Sequence, residues 1–336
     1  MLAQTMRYMF ELSGEHPDLP IWEAEALISC SGEAKLIDRD YNLAVFSSDA
    51  KAKDFKDRIA LSHFLNEHLA SIDHSELTSF FEKLEISRGK SVAVRVKITE
   101  PQKGKYDPVG TAKEIGAVLS ERGIGIDLEN PGIRYRVIVG ENAHVGRELA
   151  EIDRTQYEKR KNRLLPFSSP ISIHPRLART LINLTVKSDD CRILDPFCGT
   201  GTLLIEAAMM GMDVFGSDIS EKMVAGSGSN LAKLGLKAKI KQLDVGDISK
   251  FGIKFDAIVT DPPYGRSSST NKESVQGLYS RAIECFAENL VDEGILGIIV
   301  PDLKTLDYRD EFRIVKQTAF RAHRSLVRNF VILEKR

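Results

Sequence analysis

Four cysteines in 336 residues, Cys30, Cys191, Cys198 and Cys285, are too few and too scattered for a disulfide framework. No C-x-x-C spacing occurs, so no zinc ribbon and no metal site are expected. The formal net charge is only −1, which rules out bulk basicity; any nucleic-acid surface must be local. No apolar run reaches membrane-spanning length, and Met1–Phe10 lacks a charged stretch followed by an apolar core. Internal repeats and low-complexity segments are absent too. A soluble chain in a reducing cytoplasm, without membrane attachment, is the expectation. Hydrophobic content of 42% and charged content of 28% suit globular folding, and the length allows two or three domains.

Against this plain background, Asp261-Pro262-Pro263-Tyr264 is the most informative segment. It follows Phe255–Thr260, an apolar run that reads as a buried parallel strand. A carboxylate, two prolines and an aromatic at a strand end suit a planar base with an exocyclic amine. Asp261 can accept a hydrogen bond from that amine. The carbonyl of Pro262 can face it without a neighbouring N–H donor, and Tyr264 offers a ring to stack on. The same tetrapeptide also occurs in ordinary turns.

A second motif lies upstream: Asp195-Pro196-Phe197-Cys198-Gly199-Thr200-Gly201-Thr202. A short strand enters a Gly-x-Gly turn, and a helix leaves it with Leu203, Leu204, Ala207 and Ala208 on its apolar face. Glycines let the backbone approach a ligand, and helix N–H groups point at its polar groups. This is not the dinucleotide pattern. Acidic Asp195 would repel a pyrophosphate and welcome a cationic or amino-acid group. A further strand over 213–217 ends in Asp218, an acid placed to hold ribose hydroxyls, with Ile219 next.

The two motifs in this order resemble Rossmann-like S-adenosylmethionine-dependent methyltransferases that modify exocyclic amines of bases. The resemblance covers the chain from about Pro166 onward and implies an α/β, doubly wound, mostly parallel sheet. It assigns cofactor contacts to Asp195, Phe197, Gly199, Thr200, Gly201, Thr202, Asp218 and Ile219, and catalysis to Asp261, Pro262, Pro263 and Tyr264. The adenine contact falls to Asp244 with Val245, although Asp247 is a rival and either acid could serve a turn. Cys198 and Cys285 read as packing residues, not nucleophiles.

The N-terminal half suggests two smaller modules. Residues 1–55 read as strand, helix, strand, strand, an α+β ferredoxin-like unit. Residues 56–150 begin with Ile59, Leu61, Phe64, Leu65 and Leu69 at helical spacing. Alternating strands follow over Ser91–Ile98 and Ile133–Val139, with a helix between them from Thr111 to Leu119, capped by Thr111. This arrangement resembles a THUMP RNA-binding domain.

Residues 151–170 read as a linker into a methyltransferase domain over 171–336. Arg154, Lys159, Arg160, Lys161, Arg163, Arg176 and Arg179 form a local basic excess able to meet phosphates. A Pro-bounded loop then runs into His174-Pro175-Arg176-Leu177, as in the amine methyltransferases, where it covers one side of the cofactor. His174 reads as a capping or core residue. The segment 266–276 reads as a lid or a plain solvent loop.

This whole order resembles archaeal tRNA guanosine-N2 methyltransferases acting at position 10. The resemblance implies tRNA as partner and one or two methyls on the guanine amine. Eukaryotic relatives use a small activating protein; the archaeal pattern implies activity alone. Rival readings are a guanosine-N2 enzyme for the acceptor stem or for rRNA, and a non-catalytic RNA-binding scaffold. Asp261, where the rRNA group carries Asn, favours the position-10 group.

Overall fold

The computed structural model describes residues 5–336 except 88, 171, 266–272, 309 and 324–325. The expected lid segment thus lies largely outside the described residues. The chain divides into two compact units, Met1–Asp153 and Arg154–Arg336.

The first unit contains β1 (Met6–Leu12), α1 (Leu19–Ser29), β2 (Lys35–Asp40), β3 (Leu43–Ser48), α2 (Ala52–Phe55) and β4 (Ser62–Ile72). It continues with α3 (Leu77–Lys83), β5 (Val92–Ile98), α4 (Pro108–Glu121), β6 (Ile133–Val139) and β7 (Ala143–Glu151). All seven strands form one sheet in the order β2-β3-β1-β4-β7-β6-β5. The sheet runs unbroken past the boundary expected near residue 55 and carries two cores. Tyr8, Phe10, Leu27, Phe46 and Phe55 pack one core, and Phe81, Ile115, Leu119, Tyr135 and Val137 the other. Between them β4 hydrogen-bonds to β1 on one side and β7 on the other.

That strand overturns the helix expected from Ile59 to Leu69. As an interior strand, β4 buries residues on both faces, which masks a two-residue alternation. Its pairing with β7 also shifts register between Leu65 and Asn66 and again between His68 and Ala70. Each such irregularity slips the side-chain phase and imitates a longer period. The helix expected from Thr111 is real but starts earlier. Asp107 accepts a hydrogen bond from the Val109 N–H (2.9 Å), and Pro108 occupies the first turn.

The second unit holds α5 (Thr155–Lys159), α6 (Pro175–Thr185), β8 (Arg192–Asp195), α7 (Thr202–Met209), β9 (Asp213–Asp218), α8 (Glu221–Lys233) and β10 (Lys239–Gln242). β11 (Phe255–Thr260), α9 (Val275–Asn289), β12 (Leu290–Val300), β13 (Phe312–His323) and β14 (Leu326–Lys335) complete it. Its seven strands run in the order β10-β9-β8-β11-β12-β14-β13. Strands β8 to β12 are parallel, and β14 adds antiparallel to β12. The order reverses between β8 and β11, and a crevice opens at such a reversal beyond the carboxyl ends of the strands. The two sequence motifs leave those two adjacent strands. Phe215, Phe251 and Phe255 meet edge-to-face below the crevice at 5.2–5.8 Å.

The stretch expected as a linker, 151–170, is tied down. Arg160 and Arg179 converge on Glu206 of α7, with Arg160 Nη2 and Arg179 Nε donating to Oε2 at 3.0 and 2.9 Å. All three side chains are buried. Arg160 therefore fastens the segment to α7, Arg179 ties α6 to the same carboxylate, and both are withdrawn from phosphate contact. Lys161 pairs with Glu158. His174 takes the capping role: its Nδ1 accepts the Arg176 N–H (3.2 Å) at the start of α6.

Candidate active site

The Gly-x-Gly turn is shaped by backbone that other residues adopt poorly. Gly199 and Gly201 have φ of +49° and +85°. A Cβ on Gly201 would also stand 2.9 Å from that of Ser227 on α8. The turn is roofed from the N-terminal side. Asn230 of α8 holds Phe167 by both amide groups, accepting from its N–H (2.9 Å) and donating to its carbonyl (2.8 Å). The same Asn230 amide donates to the Thr200 carbonyl (2.9 Å). Ser172 Oγ lies 2.8 Å from Thr200 Oγ1. The Pro-bounded loop thus lies against the turn.

Three acids stand at three neighbouring strand ends. Asp195, 2% exposed, accepts from the Thr260 hydroxyl (2.9 Å) and the Phe197 N–H (3.2 Å). Burial pushes its carboxyl up to about 8, against the pull of those two donors and with Asp218 and Asp261 adding repulsion. Asp218 accepts from the Gly199 N–H (3.0 Å) and the Ser220 N–H (2.9 Å), and burial raises it as well. Beside Asp218, Ile219 presents an exposed apolar side chain.

Asp261 follows β11. The Tyr264 hydroxyl donates to its Oδ1, and Arg328 Nη2 of β14 lies 3.5 Å from its Oδ2. Burial lifts the carboxyl to about 6, with Arg328 and Tyr264 opposing. The Pro263 carbonyl accepts from the buried Tyr279 hydroxyl of α9 (3.1 Å), which fixes the turn from below. Burial, with Asp261 adding to it, raises the Tyr279 phenol well above its ordinary range.

Asp244 and Asp247 separate clearly. Asp244 caps the turn after β10, accepting from the Gly246 N–H (2.8 Å), and it is gripped by Arg281 of α9. Burial would raise it, but Arg281 and that N–H hold it below the usual carboxylate range. Asp247 pairs with Lys250 on the surface at 2.8 Å. The Val245 side chain is packed into the core, which leaves its backbone at the turn after β10.

Sequence reasoning missed Thr260, Tyr279, Arg281, Asn230 and Arg328. Each carries an ordinary residue type in a helix or strand, and only the fold turns it toward the motifs. Among the described residues, no group of three or more His, Cys, Asp or Glu could hold a metal ion. No helix among them is long and apolar enough to cross a membrane.

Comparison with known proteins bears on the fold and the family. A family model described as an RMKL-like methyltransferase domain matches residues 162–329. A second, described as DNA methylase, matches 22–228, a span that ends before Asp261. The crystal structure of TrmN from Thermus thermophilus is similar in fold, with a TM-score of 0.56 at 22% identity over 98% of this chain and 100% of that one. These define a Rossmann-like methyltransferase fold. The tRNA (guanine(10)-N2)-dimethyltransferase of Methanothermobacter thermautotrophicus is 34% identical over 98% of this chain and 100% of its own length. That of Pyrococcus abyssi is likewise 34% identical, over 98% and 100%. The chain belongs to the tRNA (guanine(10)-N2)-dimethyltransferase family.

Proposed function

We propose that this chain transfers methyl groups from S-adenosylmethionine to the exocyclic N2 of a guanosine in tRNA, at position 10, with Asp261, Pro262, Pro263 and Tyr264 forming the base site. The observation that carries the reading is the placement of Asp261. Its carboxyl is held by Tyr264 at the end of β11, beside the strand that leads into the glycine turn. A conjugated amine needs orientation and an acceptor as charge develops on nitrogen, and a buried carboxylate supplies both.

The residues suit the cofactor. Asp195 is a buried acid whose carboxyl is met only by a hydroxyl and an N–H in the described contacts, a site for a cationic group. Gly199 and Gly201 allow close backbone approach, and Asp218 with Ile219 offers a carboxylate beside an apolar surface. S-adenosylmethionine supplies the methyl group from its sulfonium. Asp244 is the proposed adenine-side acid in preference to Asp247, because it sits at the end of β10 beside the crevice. Residues 56–150 are proposed as the THUMP-like tRNA-binding part, sharing one sheet with residues 1–55, and the cytoplasm is the proposed location. The names of the relatives favour position 10 over the acceptor stem and rRNA.

The test is methylation of unmodified tRNA transcripts with labelled S-adenosylmethionine, followed by nucleoside mass spectrometry. Label in N2-methyl- or N2,N2-dimethylguanosine, lost when guanosine 10 is replaced, is expected. Label elsewhere would move the site. No label despite cofactor binding would overturn the reading for the chain acting alone.

A further inference from the structure

The DPPY segment explains one oxygen of Asp261. The other faces a residue far away in sequence. Arg328 lies on β14, the strand added antiparallel beside β12, and its side chain is 7% exposed. From there its Nη2 stands 3.5 Å from Asp261 Oδ2, while its Nε stands 3.4 Å from the Tyr264 hydroxyl oxygen. One guanidinium therefore addresses both polar groups of the base site. The phenol donates to Asp261 Oδ1 and presents its lone pair to Arg328, so its hydrogen has one direction to point.

We propose that Arg328 is a positioning residue that keeps Asp261 ionised and in fixed orientation, so that the carboxylate rather than the carboxylic acid meets the guanine amine. The inference rests on Asp261 being the acceptor for that amine.

The charge balance gives the reason. Asp261 is faced by Asp195 from β8, Tyr264 from its own loop, Tyr279 from α9 and Arg328 from β14. Of these, only Arg328 carries a positive charge. Burial favours the protonated form of Asp261, which would offer a donor where an acceptor is needed. The Arg328 guanidinium opposes burial first, and the Tyr264 hydroxyl adds to it. It also leaves Asp261 half-shielded rather than locked. At 3.5 Å the contact is longer than the two bonds, 2.7 and 3.1 Å, that Arg136 donates to Glu11 Oε2.

The test compares wild-type protein with R328Q, R328K and R328M, the last keeping the volume of the stem without its charge. Carbon-13 carboxyl NMR of aspartate-labelled protein reads the Asp261 midpoint directly, its resonance being the one absent in D261N. The R328Q and R328M midpoints are expected to rise by about one unit or more, with R328K close to wild type. In parallel, kcat for tRNA methylation should fall about tenfold near pH 6 in R328Q and recover above pH 8, with KM for S-adenosylmethionine unchanged. An unmoved midpoint, or a kcat loss equal at every pH, would overturn the role of Arg328. A midpoint that moves in R328Q and R328M, while the wild-type protein methylates no guanosine, would keep it and refute the proposed function instead.

Discussion

Glu11 and Asp195 are acids of nearly equal burial, one in each seven-stranded sheet, at 3% and 2% exposure. Glu11 is met by Lys97 and by Arg136, whose Nη2 donates at 2.7 Å and whose guanidinium also lies over the Phe64 ring. Burial would raise Glu11, but those two cations hold it below the usual range. Asp195 is met by a hydroxyl and one amide N–H, and its carboxyl rises to about 8. A buried charge kept for structure carries its counter-charge in the chain; one kept for a ligand leaves that place open. Asp261 stands between the two cases: Glu206 is clamped by two arginines, whereas a single arginine, Arg328, meets Asp261, at 3.5 Å.

The comparison can be broken most sharply at Asp261. D261N is expected to lower methyl transfer by roughly 10²–10³-fold while leaving cofactor affinity nearly unchanged, read by single-turnover kinetics and calorimetry. Retained activity would show that the acid is structural, like Glu11. In the first unit, E11L should destabilise by about 3 kcal/mol, because it removes the carboxylate that meets the largely buried Arg136 and leaves, among the described residues, only the 3.6 Å carboxylate contact with Glu148. Urea unfolding measures it, and a loss below about 1 kcal/mol would remove the contrast.

Asp195 tests the other side. Cofactor binding near pH 7 should release protons, since a cationic ligand returns the carboxyl to its ionised form. Titration calorimetry in buffers of different ionisation enthalpy reads this directly, and D195N should abolish the release and weaken binding about tenfold. The stability sign is opposite. An acid whose folded value lies above its unfolded one contributes stability that is full below pH 4 and lost as pH rises toward about 8. Without ligand at pH 9, D195N should therefore melt a few degrees above wild type, a shift of order 1 kcal/mol. A lower melting temperature would mean that the ionised form is the stabilised one. The smallest effect belongs to D247N, whose surface pair with Lys250 should count for less than about 0.5 kcal/mol and leave cofactor affinity unaltered.

Legibility in the sequence followed locality. The glycine turn could be read because the conformations of Gly199 and Gly201 are a property of those residues. The strands around Asp195, Asp218 and Asp261 could be read because each is a short apolar run ending in a polar residue. The strand β4 could not, because two register shifts and burial on both faces erase its period. Nor could the fate of Arg160 and Arg179. A basic residue looks the same in sequence whether it faces solvent or Glu206, and only contact decides.

The sequence by itself determined that a glycine turn and the Asp261–Tyr264 motif leave two strands of one parallel sheet, since each motif needs only its own backbone and neighbours. The tertiary structure alone decided which side chains complete them. Thr260, Tyr279, Asn230 and Arg328 reach the site because strand order sets which strand and helix ends converge, and that order depends on contacts between residues far apart in the chain. The ionisation of Asp195 and Asp261 was decided there too, because burial and counter-charge exist only once the chain has folded.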